Sequence, residues 1–258
     1  MSWKKWGVIL ILLSLLWLWQ QWPDGKLHVA FCDVGQGDGA LVALGAFQAL
    51  IDTGPSEEKL WQCLTKEMPF WDRKIDLVFI SHQQSDHSGA LADLLKRYQV
   101  SKLIQNAEQN DVYRYGDLYF DILSEVQKDK IGETSTSKEE NELAMVIRLE
   151  YREFSALFTA DIGEKTESAL LADGVLKKVT LLKVPHHGSK YSSTLSFLEA
   201  LSPRVAVISV GAKNSYGHPH GDTLMRLDSI GAEVLRTDQV GTVEIVTDGY
   251  RFDIYNER

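Results

Sequence analysis

Residues 79–89 decide the fold class of this chain, and they read Phe79-Ile80-Ser81-His82-Gln83-Gln84-Ser85-Asp86-His87-Ser88-Gly89. The apolar run that ends at Ile80 predicts a strand, and a helix is predicted to follow at 90–98. Between them, His82, Asp86 and His87 offer two imidazole nitrogens and one carboxylate, a ligand set that suits zinc or manganese. We interpret the stretch as a metal-binding loop. The alternative is a polar loop that only begins a helix.

Length and composition limit the class of protein. The 258 residues are enough for one large domain or two small ones, and 44% of them are hydrophobic, so a sizeable core is expected. The formal net charge of −9 argues against a broadly basic surface that coats nucleic acid. It does not exclude a nuclease, because a bound metal supplies local positive charge. Cys32 and Cys63 lie in apolar contexts outside any CxxC pair, so we expect buried free thiols rather than a disulfide or a metal site.

The N-terminus differs from the rest of the chain. Residues 1–22 are predicted as a membrane helix, because a long apolar run is flanked on both sides by tryptophans. A cleaved signal peptide and a buried core helix are the alternatives. Lys4 and Lys5 precede the run, which favours an orientation that places the rest of the chain on the extracytoplasmic side of the plasma membrane. The predicted organisation is a membrane helix at 1–22, a short linker at 23–26 and one domain at 27–258.

In the remaining chain, runs of predicted strands are followed by single predicted helices, and this pattern occurs twice. This pattern indicates an α/β domain in which two mixed sheets pack between helices. The polar residues 127–142 predict an exposed loop.

Histidines cluster at the ends of predicted strands. Six of the seven histidines fall in three short loops, and these are His82 and His87, His186 and His187, and His218 and His220. Because loops at one edge of a sheet are where sites usually assemble, these loops, with Asp86 and Asp161, indicate a metal site. The seventh histidine, His28, lies inside a predicted strand and is expected to be a packed or edge residue.

Several of these motifs resemble the metallo-β-lactamase superfamily. The matching residues are His82, Asp86 and His87 in the His-x-x-x-Asp-His order, Asp52 in an Asp-Thr-Gly turn, Asp161 after a hairpin, and His186 after the next strand. The resemblance covers about residue 27 to the C-terminus and implies an αββα sandwich with metals at one edge of the paired sheets.

Three further motifs narrow the resemblance. Residues 33–38 (Asp-Val-Gly-Gln-Gly-Asp), 184–189 (Val-Pro-His-His-Gly-Ser) and 216–220 (Tyr-Gly-His-Pro-His) are similar to the C-terminal domain of the ComEC family of competence DNA-uptake channels. In that family the domain follows a membrane segment. The channel portion is absent from this chain, so the resemblance implies a split, truncated or stand-alone relative, and a separate channel subunit is a possible partner.

The resemblance also implies roles for individual residues. His82 would help to hold one metal, and Asp86, His87 and His186 would hold a second, with Asp161 bridging the two. The cofactor would be one or two divalent ions, zinc or manganese. The implied catalytic residues also include His218 or His220, which would stabilise the phosphate or protonate the leaving oxygen, and Asp52 and Asp38, which would orient imidazoles.

Other residues are implied as substrate contacts, and these are His187, Ser189, Asn214 and Tyr216. A helix N-cap is the alternative for Ser189, and a rigid turn with solvated imidazoles is the alternative for residues 216–220.

Two positions depart from the superfamily pattern. Gln84 stands where the superfamily has histidine or aspartate, and Asn141 is the residue nearest to the place of a missing histidine. Both are expected to be weak metal ligands, so one metal is expected to bind firmly and a second only weakly. β-Lactam or thioester hydrolysis at a full two-zinc site is therefore not expected.

The metal loops thus favour a metal-dependent hydrolase. The resemblance implies a membrane-anchored phosphodiester hydrolase that acts on DNA, in single-stranded form, during uptake. One alternative is a metal-depleted binding or assembly module of the uptake machinery. Another is a hydrolase of a small phosphodiester or lactone.

Overall fold

The structure, a computed structural model, describes residues 23–124 and 143–258 together with Trp6, Ile9 and Asn141. Its strands are β1 Leu27–Phe31, β2 Ala40–Leu44, β3 Phe47–Ile51, β4 Lys74–Phe79, β5 Gln99–Ile104, β6 Val112–Tyr115, β7 Leu118–Ser124, β8 Val146–Tyr151, β9 Phe154–Phe158, β10 Leu181–Lys183, β11 Val205–Ile208, β12 Glu233–Arg236, β13 Val243–Thr247 and β14 Phe252–Asn256. Its helices are α1 Glu57–Glu67, α2 Ser85–Ser88, α3 Leu91–Arg97, α4 Glu164–Ala172, α5 Leu195–Leu201, α6 Gly221–Ser229 and α7 Thr237–Val240, with a 3₁₀ turn at Pro185–Gly188.

The strands form two seven-stranded mixed sheets. The first has the order β14-β13-β1-β2-β3-β4-β5 and the second the order β12-β11-β10-β9-β8-β7-β6. Within the first sheet β1 pairs antiparallel with both β2 and β13, whereas β3, β4 and β5 run parallel to one another. The predicted pair of mixed sheets is therefore confirmed.

Alternation along the strands explains why both faces of each sheet are covered. In β4, Phe79 belongs to the apolar core between the two sheets, whereas Val78 belongs to the core beneath the helices. In β1, Val29 and Ala30 divide in the same way. Because successive side chains of a strand point to opposite faces, a strand that is apolar at every position requires a layer on each side.

Helices supply the two outer layers. Leu60 and Leu64 of α1 and Leu94 of α3 pack on the first sheet. Leu170 of α4 and Leu227 of α6 pack with the apolar residues of the second sheet. The result is the αββα sandwich that the sequence predicts.

The loops that carry the candidate site follow strands of both sheets. In the first sheet they follow β1, β3 and β4, and in the second they follow β9, β10 and β11. The Asp52 amide donates to the carbonyl of Phe79 over 2.8 Å, so the ends of β3 and β4 lie side by side. Site-bearing loops of the two sheets meet at this edge, as the contacts below show.

The expectation of free thiols is wrong. Cys32 and Cys63 form a disulfide, with their Cα atoms 5.6 Å apart. Cys32 follows β1 and Cys63 lies on the buried face of α1, so residues 31 positions apart in sequence meet only when α1 packs on the first sheet. Spacing alone could not show this proximity.

Two other predictions lie largely outside the described residues. These are the membrane helix at 1–22 and the polar loop at 127–142. The predicted domain boundaries also stay predictions. Within the described part of the chain, no helix combines the length and apolar character needed to cross a membrane. His28 lies in β1, partly buried, with ring nitrogens 2.7 Å from Glu244 Oε1 and 3.0 Å from Asp24 Oδ1.

Candidate metal centre

Four side chains with metal-ligating atoms converge at this edge of the sandwich. Asp86, His87, Asp161 and His187 each present one ligand atom, and all four atoms lie within 4.8 Å of one another. Asp86 and His87 come from the α2 segment after β4, whereas Asp161 and His187 follow β9 and β10. We refer to these four residues as the central cluster. Two sheets contribute to it, and three of its members are buried.

Hydrogen bonds fix the orientation of both imidazoles in the central cluster. His87 Nδ1 lies 2.8 Å from Asp52 Oδ2, and His187 Nδ1 lies 2.8 Å from the carbonyl oxygen of Ser209. Because these partners accept, each Nδ1 is assigned as the protonated donor. Each Nε2 then faces Asp161, at 3.2 Å for His87 and 3.5 Å for His187.

Asp52 is held in turn by the residue that begins the metal loop. The backbone amide of Ser81 donates to Asp52 Oδ1 and its hydroxyl donates to Oδ2, both over 2.8 Å. Burial raises the pKa of Asp52, while the neighbouring His87 lowers it. The sequence-based role of Asp52, orienting an imidazole, agrees with these contacts.

Four non-glycine residues just beyond β3, β9 and β10 have a left-handed backbone. The φ angles are 59° at Asp52, 47° at Ala160, 49° at His186 and 53° at His187. Non-glycine residues in this region cost free energy and cluster at functional sites, where the surrounding structure holds them in place. Here they turn the chain sharply just beyond β3, β9 and β10, which directs the side chains into the edge of the sandwich.

Gly37 allows the loop after β1 to reach the central cluster. Its φ is 141°, and a Cβ there would lie 2.2 Å from the carbonyl oxygen of Asp86. The next residue, Asp38, donates its amide to that same oxygen over 3.1 Å. A larger residue at position 37 would push Asp38 away from the site.

Buried polar atoms without partners show that the site suits a cation. His82 Nε2, His87 Nε2, His187 Nε2 and Asp161 Oδ1 are all buried and make no hydrogen bond among the described residues. Such atoms are rare in folded proteins and call for an explanation. Neutral imidazole nitrogens and carboxylate oxygens are ligands for zinc or manganese, so the residues fit a divalent ion.

The pKa shifts in the central cluster also favour a bound cation. Burial lowers the pKa of both imidazoles, but the negative charges of Asp161 and the other nearby carboxylates outweigh this effect. The pKa of His187 is raised to about 9, and the pKa of His87 is raised well above its usual range. Burial opposes ionisation of Asp161, yet His187 and His87 hold its pKa well below the usual range. Because metal ligands must be deprotonated, a divalent ion would replace these protons.

The predicted second metal position has a different character. Burial, followed by the proximity of His87, lowers the pKa of His82 to about 3. The amide nitrogen of Gln84 donates to Asn141 Oδ1, so the two residues predicted as weak ligands contact each other. His82 lies outside the central cluster, although its ring centroid is 4.1 Å from that of His87. Metal binding by His82, Gln84 and Asn141 stays a prediction.

His186 and His187 both lie beside Asp161, but only His187 belongs to the central cluster. His187, predicted as a substrate contact, is a member of the central cluster. His186, predicted as a metal ligand, is less buried, and its Nε2 lies 3.8 Å from Asp161 Oδ2. Metal binding by His186 and substrate contact by His187 stay predictions.

Aromatic rings lead from the central cluster to the surface. The ring centroid of His186 is 5.7 Å from that of His218, which is 5.9 Å from that of Tyr216 in a nearly parallel stack. Tyr216 is 71% exposed. Burial and then His186 lower the pKa of His218 to about 4, so its ring is neutral at physiological pH. A neutral ring donates one hydrogen bond but is a poor acid.

Three more of the predicted residues make structural hydrogen bonds, namely the predicted substrate contacts Asn214 and Ser189 and the predicted catalytic residue His220. Asn214 accepts the amide of His218 over 3.0 Å and donates to its carbonyl, which closes the loop that carries His218. His220 caps α6 by accepting the amide of Asp222. Ser189 is buried and does not cap a helix, since α5 begins after Thr194. The N-cap alternative for Ser189 is therefore wrong.

Sequence reasoning missed three polar residues at the site, namely Ser81, Lys183 and Ser209. Lys183 is buried, and its ammonium contacts Asp38 Oδ2. That ammonium and then His87 hold the pKa of Asp38 below its usual range despite burial. The signal available in the sequence was a lone lysine in the otherwise apolar strand at 180–184.

Comparison with known proteins identifies the relatives of this arrangement. The model of the metallo-β-lactamase superfamily matches residues 32–212. ComE operon protein 3 of Bacillus subtilis is 30% identical over 84% of this chain and 32% of its own length. Recombination protein 2 of Haemophilus influenzae is 29% identical, covering 93% of this chain and 31% of that protein. Competence protein ComA of Neisseria gonorrhoeae is 27% identical, covering 93% of this chain and 35% of that protein. The chain thus spans about a third of the length of these relatives.

Solved structures share the fold at low identity. The metallo-β-lactamase fold protein YhfI from Bacillus subtilis matches with a TM-score of 0.56 and 12% identity, covering 84% of this chain and 99% of that chain. CmlA, a diiron β-hydroxylase from Streptomyces venezuelae, matches with a TM-score of 0.52 and 13% identity, covering 83% and 53%. At these identities the likeness concerns the fold alone.

Proposed function

Since the chain belongs to the metallo-β-lactamase superfamily, we propose that it is a metal-dependent phosphodiester hydrolase that acts on DNA during competence-type uptake. The observation that carries the proposal is the central cluster, in which two oriented imidazoles and two carboxylates converge with buried atoms left unpaired. The competence-related relatives supply the choice of DNA as substrate.

The residues that would hold the metal are Asp86, His87, Asp161 and His187, with His186 and His82 nearby. A bound divalent ion supplies Lewis acidity toward a phosphoryl oxygen and lowers the pKa of water. The chain itself orients the ligands, since Asp52 and the Ser209 carbonyl each fix one imidazole tautomer. His218, whose pKa is lowered to about 4, would donate a hydrogen bond to a phosphate oxygen rather than act as a general acid.

The surface next to the cluster supports a single-stranded substrate. The formal net charge of −9 argues against a broadly basic surface that would bind duplex DNA through its phosphates. The exposed ring of Tyr216 instead offers a flat face on which an unpaired base can stack.

We further propose that the domain lies on the extracytoplasmic side, anchored by residues 1–22, and works beside a separate channel subunit. The Cys32–Cys63 disulfide supports this location, because disulfides persist in oxidising compartments.

The test is cleavage of a labelled single-stranded oligonucleotide by the purified full-length chain in detergent, with manganese or zinc added. Cleavage should stop on chelation and return when the metal is restored. His87→Ala should abolish it, whereas Asp253→Asn, on the exposed edge strand β14, should not. Failure to observe chelator-sensitive cleavage with either metal would exclude the proposal.

A metal-depleted binding module is the second candidate. It is favoured by the pairing of Gln84 with Asn141, which leaves His82 without a strong neighbouring ligand. Metal content distinguishes the two functions, since the module would contain well under one ion per chain and would melt at the same temperature in chelator.

A further inference from the structure

Lys183 is a cation built into the metal centre, and neither the family motifs nor the metal loop predicts it. Its side chain is 3% exposed. The ammonium contacts Asp38 Oδ2, donates to the carbonyl of Ala160 over 3.1 Å and lies 3.9 Å from Asp161 Oδ1. A buried charge persists when it is paired and hydrogen-bonded, and all of these partners are oxygen atoms.

The partners of Lys183 tie it to the central cluster from two directions. Asp38 Oδ1 lies 3.4 Å from His187 Nδ1, so the carboxylate that holds the ammonium also touches a cluster imidazole. Asp161 is itself a cluster member. Lys183 therefore sits against the atoms that a metal would use, on the side that β10 supplies.

We propose that the Lys183 ammonium supplies positive charge that a second metal ion would otherwise supply. The centre therefore binds one divalent ion firmly and disfavours a second. The inference rests on the metal dependence of the proposed function. Four carboxylates, from Asp38, Asp52, Asp86 and Asp161, lie in or against the cluster. One divalent ion together with the ammonium leaves these four carboxylates with one negative charge in excess. A second divalent ion would make the site positive by one charge, and both the first ion and the ammonium near Asp161 would repel it.

The geometry near His82 agrees with this role. His82 would need Asp161 as a shared ligand to hold a second ion, and Asp161 Oδ1 is the atom that faces the Lys183 ammonium. An ammonium near a shared carboxylate reduces the negative charge available to a second ion. The neutral amides of Gln84 and Asn141 do not restore that charge.

The experiment measures manganese binding by the full-length chain in detergent, by calorimetric titration and by metal analysis after desalting. The wild-type protein should bind one ion firmly and a second at least about tenfold more weakly. In Lys183→Met the gap between the two affinities should narrow by at least about tenfold. Lys177→Met is the matched control, since Lys177 lies shortly before β10 with an exposed side chain that pairs with Glu150 over 3.6 Å.

A paired variant removes the risk that an uncompensated carboxylate unfolds the protein. Asp38→Asn with Lys183→Met replaces the ion pair by two neutral side chains and keeps the net charge of the site. It should narrow the gap between the two affinities less than Lys183→Met does, because the ammonium no longer lies near Asp161 but the carboxylate of Asp38 is lost as well. An unchanged gap in both variants, or two ions of equal affinity in the wild-type protein, overturns the role of Lys183 and leaves the proposed hydrolase intact. Absence of manganese and zinc binding in the wild-type protein overturns both.

Discussion

The Nδ1 atom of His87 lies 2.8 Å from Oδ2 of Asp52, and both side chains are buried almost completely. The bond joins the loop after β3 to the loop after β4, and it determines which ring nitrogen faces Asp161. The orientation of a cluster imidazole therefore depends on a carboxylate that does not itself belong to the cluster.

Removal of the charge of Asp52 should weaken metal binding without removing a ligand. In Asp52→Asn the amide cannot accept from the Ser81 amide, the Ser81 hydroxyl and His87 together. We expect metal affinity to fall by about 10- to 100-fold, as for other residues that orient ligands. Titration with manganese measures the change, and Asp253→Asn serves as the control for loss of one charge. Equal affinities in the two variants would contradict the role of Asp52.

Truncation of Tyr216 should weaken DNA binding but leave the fold unchanged. The ring is 71% exposed and stacks on His218. Since a base stacked on an aromatic ring contributes about 1–3 kcal/mol, Tyr216→Ala should reduce affinity for a single-stranded oligonucleotide by about tenfold or more. Fluorescence anisotropy in calcium, with no cleavage, measures the affinity.

Tyr250→Ala is the matched control for that experiment, because Tyr250 is 68% exposed and lies in the turn between β13 and β14. Both variants should melt within a few degrees of the wild-type protein. A similar loss of affinity in both would show that Tyr216 has no special part in binding.

Loss of the disulfide should destabilise the domain substantially. The bond between Cys32 and Cys63 closes a segment with a sequence separation of 31, and closing a loop of that length contributes about 3–4 kcal/mol in the chain-entropy description. The double variant Cys32→Ala and Cys63→Ala should show a correspondingly lower free energy of unfolding in urea. Mass spectrometry of the unreduced wild-type protein should find the two cysteines linked, and two free thiols after oxidative refolding would refute the pairing.

His28 should make stability depend on pH in a direction opposite to that of an ordinary paired carboxylate. Burial lowers its pKa, but hydrogen bonds to Glu244 and Asp24 outweigh burial and raise it. A raised pKa in the folded state gives stabilisation that is complete below the unfolded pKa of about 6.5 and is lost as pH rises through the folded pKa.

The comparison for His28 is with His28→Gln at two pH values. The free energy of unfolding of the wild-type protein should exceed that of the variant by more at pH of about 5.5 than at pH of about 8.5. A difference that is the same at both values, or larger at the higher one, would contradict the ion pairs of His28.

Residues that follow apolar strands could be predicted from the sequence because local pattern places them. His82, Asp86 and His87 directly follow the run that ends at Ile80, and Asp161 follows the hairpin of β8 and β9. Strand periodicity and loop position sufficed to bring these residues to one edge, and to predict the two mixed sheets.

Properties that depend on neighbours distant in sequence could not be predicted. His186 and His187 are adjacent, and the left-handed backbone at both decides which imidazole joins the central cluster. The Cys32–Cys63 bond depends on the packing of α1, and the significance of Lys183 depends on the loop that brings Asp38 to it. In each case the outcome depends on the folded chain, so the local sequence pattern does not show it.

Among the described residues the two sheets meet at the central cluster without a strand pair between them, and side-chain packing contributes to holding one layer against the other. Asp86 and His87 belong to the layer of the first sheet, and Asp161 and His187 to that of the second. An ion bound by all four would therefore act as a non-covalent cross-link between two halves of the molecule. Sliding of one layer against the other would separate the ligands and release the ion. A force that pulls the two layers apart would therefore lower the occupancy of the metal site.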